Sequence, residues 1–175
     1  MSTRLLNNYI QLAKDINSVS PKEWLPPSEG AEAKNQNIIY SVLVTNTRTY
    51  IEKISNQING CYENGWYDAC SVMIRRLLET LIIEVFEYHN LQNKIKKGGV
   101  HSGDYLYLRD LITITLNETA WTLSRNAKSS LPKLKDIGDK SAHSRRFNAV
   151  RNDIDELKPD IRIIIQELLS ISRLK

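Results

Sequence analysis

Lys135, Asp139 and His143 follow one another at intervals of four within KDIGDKSAHSRR, the stretch from Lys135 to Arg146. Residues four apart share a helix face, so this spacing lines up an ammonium, a carboxylate and an imidazole along one side. A carboxylate bonded to one ring nitrogen fixes a histidine's tautomer and favours its charged form, which suits a general acid or base. The expected contact is Asp139 with His143. An ordinary solvated helix end carries the same residues, because the helix dipole favours a cation there. Leu131, Leu134, Ile137, Gly138 and Ala142 fall on the opposite arc and are expected to face a core. Glycine costs a helix about 1 kcal/mol relative to alanine, so Gly138 on that arc points to a second helix packed very close.

Lys140, Arg145 and Arg146 extend the basic character of this stretch. From Arg125 to Arg151 there are eight bases (Arg125, Lys128, Lys133, Lys135, Lys140, Arg145, Arg146 and Arg151) against Asp136 and Asp139. That segment is therefore +6 in a chain of formal charge +4, leaving −2 for the remainder. A basic stripe on a nearly neutral body favours phosphate, although a soluble face can carry the same charge. Other chemistries find little footing. No glycine-rich phosphate loop and no cluster of metal ligands is present, so neither a metal nor a cofactor is expected. His89, at a helix end, and His101, in a glycine-bearing loop, lack a second ligand at regular spacing and read as solvated. Cys61 and Cys70 do not form a C-x-x-C pair, and a disulfide between them is not favoured in a chain read as having no secretion signal. No run approaches the roughly 20 apolar residues that span a bilayer, and the first residues lack an apolar signal core. A cytoplasmic protein without membrane contact is expected.

The elements that must position these residues are helical. Seven Gly and five Pro among 175 residues are too few for turn-rich β architecture. Residues 4 to 16 space Leu5, Tyr9, Leu12, Ala13 and Ile16 as one helix. A linker from about Asn17 to Asn35 follows, broken by Pro21, Pro26, Pro27 and Gly30. The stretch from Ile38 to Val44 has the β-branched content of a strand but no evident partner, and is read as helical. Thr47 to Glu63 keeps a helical period and stops at ENG, where Gly65 can take the left-handed terminating conformation. From Trp66 to Asn90, Trp66, Ala69, Cys70, Met73, Ile74, Leu77, Leu78, Leu81 and Val85 make one wide apolar face. This central helix forms a tight hairpin with its predecessor. A polar loop leads to a helix from Tyr105 to Leu116, with an extension to Arg125 left open beyond an interruption near Asn117. Ser130 could cap a helix opening with Leu131 and Pro132, and Val150 to Leu174 closes the chain with helix. An all-α, up-and-down bundle of four to five main helices is expected over 36–175, preceded by a helical extension and linker over 1–35.

The run CYENGWYDACSVMIRRLLETLI, followed later by LKDIGDKSAH, resembles the HEPN-like helical domains, in particular a bacterial branch often found beside restriction and defence genes. Gly65, Tyr67 and Ala69 match a G-x-Y-x-A turn. Arg75 and Glu79 match an R-x-x-x-E on the second helix, and Gly138, Asp139, Ala142 and His143 match a G-N-x-x-A-H-like ending. The resemblance covers roughly residues 45 to 172. It implies a bundle that commonly pairs as a homodimer, with its histidines near the two-fold cleft, in defence or toxin–antitoxin settings. Active members are metal-independent endoribonucleases in which an arginine four to six residues before the histidine holds the scissile phosphate. Here Asp136, Ile137 and Gly138 stand where that arginine belongs, Lys135 is the nearest base on that face, and Asp139 replaces the usual Asn. Lysine lacks the planar fork of arginine. Arg75, Lys140, Arg145 and Arg146 are the remaining candidates for phosphate contact, and Arg75 with Glu79 is either a surface pair or a buttress beneath the site. Two functions stay open: an RNA-associated module with weak cleavage centred on His143, Asp139 and Lys135, or a non-catalytic dimerisation or protein-interaction domain that has lost the arginine.

Overall fold

The computed structural model describes residues 3–19, 33–98 and 104–175; the readings of His101 and of the linker prolines fall outside them. The described chain is helical, with a lone antiparallel bridge between Lys96 and Tyr105 in place of any sheet. Helix α1 (Thr3–Val19) belongs to a separate unit, Met1–Ala31. Its Leu5, Leu6, Tyr9, Ile10 and Leu12 are exposed.

The second unit, Glu32–Lys175, is the bundle. Near its start the Glu63 carboxylate accepts the backbone N–H groups of Lys34 (3.2 Å) and Asn35. Next, the Asn59 side chain clamps the backbone of Ile38 and Ile39 through three hydrogen bonds of 2.8–3.0 Å. Only α2 (Ser41–Val44) of the stretch read as helical from Ile38 is a helix. Ile38 and Ile39 are buried without helical bonds because an asparagine serves their backbone instead.

Helices α3 (Thr49–Glu63) and α4 (Tyr67–Tyr88) form the expected hairpin. Gly65 at φ +73° lets the N–H of Trp66 reach the carbonyl of Cys61 at 2.9 Å while its own N–H reaches Tyr62 at 3.2 Å. This pair of bonds satisfies two of the carbonyls that a helix end leaves over. Asn90 at φ 58° closes α4 in the same way, with Leu91 bonded to Phe86. Along α4, Cys70, Ile74, Leu77, Leu78, Leu81, Ile82, Val85 and Phe86 are buried. Each large aliphatic side chain taken fully out of water contributes about 1.5–3 kcal/mol. Trp66, expected on that apolar face, instead precedes the first helical residue and is 61% exposed.

After a 3₁₀ turn (Gln92–Ile95), α5 (Leu108–Asn117) ends well before α6 (Arg125–His143). Ser124, not Ser130, caps α6: its Oγ accepts the Ala127 N–H at 3.1 Å, and Ser130 is buried inside the helix. Pro132 lies within α6 on its solvent side, where the Lys128 carbonyl that loses its partner can bond to water. Helices α7 (Arg151–Asp155) and α8 (Lys158–Ile171) complete the chain.

Helix α4 is the hub, packed on α3, α6 and α8. Trp121, just before α6, meets Phe86 edge-on at 4.9 Å, while Gly138 meets Ser71 and Arg75, so α6 runs antiparallel to α4. One end of the bundle therefore gathers the α3–α4 turn, the close of α6 and the start of α8. No described helix is long and apolar enough to cross a membrane.

Candidate functional site

Gly138 determines what its neighbours can reach. A methyl placed there would lie 2.7 Å from Cβ of Arg75 and 3.0 Å from the Ser71 carbonyl oxygen, so α6 touches the backbone of α4. This is the close approach that a glycine on the buried arc implied. It delivers Asp139 to Arg75, whose Nε donates to Oδ1 at 2.7 Å. Lys135 Nζ binds the other carboxylate oxygen at 2.7 Å and Asp136 at 3.2 Å, and Arg75 also lies 3.8 Å from Glu79. Partial burial pushes the Asp139 carboxyl upward, but the hydrogen bonds from Lys135 and Arg75 together outweigh it and hold it below the usual range. The bond from Asp139 raises Lys135.

The expected pairing of Asp139 with His143 is thus corrected. Both oxygens of Asp139 are taken by cations, and His143 makes no ring hydrogen bond among the described residues. Arg75 and Lys135 share their charge with Asp139, Glu79 and Asp136, three carboxylates against two cations. That cluster ties α4 to α6 and is a poor cradle for a phosphate.

His143 closes α6, and its side chain is exposed, as are Lys140, Arg145 and Arg146. None of these three cations has an acidic partner among the described residues. Ser144, Arg145 and Arg146 line an open depression. The chain then turns back: the Ala149 N–H donates to Asp68 at the start of α4 (2.9 Å), and Val150 N–H donates to Asp153 (2.8 Å).

A second polar cluster beside this turn escaped the sequence reading. Tyr62 Oη donates to Asp155 and accepts from Arg151 Nε (3.1 Å) and Lys158 Nζ (2.9 Å). Lys158 lies 2.6 Å from Asp155, and its bond, with that from Tyr62, holds the Asp155 carboxyl below its ordinary range. Tyr67 meets Tyr62 edge-on at 5.8 Å. Arg151 and these tyrosines, with Asn35, Asn37 and the Glu63–Gly65 turn, line a cavity of about 470 Å³ that is widely open to solvent. The available signal was the aromatic run around ENGWY.

His89, expected to be solvated, is half-buried: Nε2 lies 3.2 Å from the Ile171 carbonyl, and the ring packs 5.1 Å from Trp121. Cys61 and Cys70 are free thiols, and burial pushes Cys70 up to about 12. Among the described residues no three His, Cys, Asp or Glu side chains are grouped to hold a metal ion. Compared with protein families, curated proteins and solved structures, the chain matches none.

Proposed function

We propose that this chain is a HEPN-like, RNA-associated module that binds phosphates through Lys140, Arg145 and Arg146 and does not cut the strand. One observation carries this reading: Asp139 engages both Arg75 and Lys135, while the three cations around His143 stay exposed, with no acidic partner among the described residues. Cleavage by a histidine needs a neighbour that holds the scissile phosphate and one that orients the ring. The residues expected in those roles are bound to each other. Exposed, flexible cations still neutralise a polyanion, whose affinity comes largely from released counterions.

The test uses the purified chain and an end-labelled single-stranded RNA at 50 mM salt, scored for retention and for intactness. Retention of uncut RNA, lost in the Arg145→Gln/Arg146→Gln variant, is expected. Cleavage by the wild type that disappears in His143→Ala would instead establish the catalytic reading. Absence of both binding and cleavage would leave protein assembly as the function.

A further inference from the structure

The cationic turn and the cavity lie at the same end of the bundle, and their lining differs in kind. The turn offers charge. The cavity offers the half-buried ring of Tyr67, with Asn35, Asn64, Glu63 and Arg151 around it, while the Tyr62 ring is buried beneath Lys158. Beside it, Trp66 stands 61% exposed between two residues that line the cavity. An aromatic ring of this size in water is not explained by packing, since the core closes without it.

Resting on the RNA-binding reading, we infer that this end selects single-stranded RNA by its bases: one base enters the cavity against Tyr67, and its neighbour stacks on Trp66. Three features support this. First, the spacing is short, because Arg151 lies five positions beyond Arg146 and an extended chain of that length spans at most about 18 Å. A strand whose phosphates lie on Arg145 and Arg146 can reach the cavity within a few nucleotides. Second, the local carboxylates are already occupied. Glu63 holds two backbone N–H groups, Asp68 holds Ala149, Asp153 holds Val150, and Asp155 holds Lys158 and Tyr62. Third, the asparagine side chains, the Tyr67 hydroxyl and Arg151 supply both donors and acceptors, which the polar edge of a base requires. Aromatic platforms beside a cationic track are how proteins hold unpaired strands, and they tolerate many sequences because every base has a π-face.

The test compares three labelled probes of equal length: a mixed-sequence single-stranded RNA, the same strand without its bases, and the same strand in a duplex. The wild-type chain is expected to bind the first roughly 5- to 150-fold more tightly than the other two, the range that stacking contributes per base. Trp66→Ala, at an exposed position, should remove much of that preference. It should leave binding of the baseless strand and the salt dependence unchanged. Equal binding of all three probes would overturn the base-selective site while leaving phosphate binding intact. A base preference that Trp66→Ala leaves undiminished would overturn it too. Failure of every probe to bind at 50 mM salt would remove both proposals together.

Discussion

Replacing Gly138 with alanine opposes two effects whose sizes can be set from the structure. Alanine favours a helix over glycine by about 1 kcal/mol. At this position the new Cβ meets Arg75 Cβ at 2.7 Å, where ordinary contact begins near 3.4 Å. A Cβ cannot rotate away, and the Ser71 carbonyl at 3.0 Å is backbone, so α4 and α6 must separate. Overpacking of this kind costs about 1–3 kcal/mol, leaving a net loss near 1 kcal/mol. For a chain of this size that is a fall of about 2–4 °C in Tm. Gly60, within α3, is the control: nothing lies within 4 Å of its added Cβ, so Gly60→Ala should raise Tm by a similar amount. Thermal melts followed by circular dichroism should therefore separate the two variants by about 4–8 °C. A Gly138→Ala variant melting as high as Gly60→Ala would refute the close helix contact and the Arg75–Asp139 geometry that depends on it.

Further outcomes follow from the same contacts. Asp139 and Asp155 are both held below the ordinary carboxylate range in the folded chain. Their stabilisation is complete above the unfolded value near 3.9 and is lost as pH falls through the lower folded values. Urea midpoints should hold from pH 7 to about 5 and then drop, and Asp139→Asn should drop less between pH 5 and 3; an equal drop would contradict the ion cluster. Cys70, fully buried with its thiol raised to about 12, should resist a thiol reagent until the chain unfolds, while half-buried Cys61 reacts sooner. Equal rates in the native protein would contradict that packing. Leu78→Ala should cost about 2–5 kcal/mol, as truncation in a closed core does, read from the denaturation midpoint.

The bundle was legible wherever local periodicity and local packing agree. The stripe from Cys70 to Val85 declared the central helix, and Gly65 its predecessor's end. Gly138 announced a close neighbour because only backbone approach compensates for a glycine there. What stayed hidden depends on partners far along the chain. Asp139 binds Arg75, 64 residues away, in preference to the histidine four residues on, and spacing on one helix cannot reveal such a competitor. Tyr62 and Arg151 are 89 apart, which concealed the second cluster. The start of α6 was misplaced because Pro132 resembles a first-turn proline; its exposed side makes the lost bond tolerable. His89 looked solvated because nothing local shows that Trp121 and the end of α8 close over it.

The salt dependence of RNA binding bears most directly on the phosphate role of Lys140, Arg145 and Arg146. Each neutralised phosphate of a single strand adds about −0.7 to the slope of log K against log salt, so three contacts predict a slope near −2. Affinity should then fall about 20-fold between 50 and 200 mM salt, and the slope should move toward zero when all three are changed to glutamine. A slope near zero in the wild type, or one that the triple variant leaves unaltered, would contradict it.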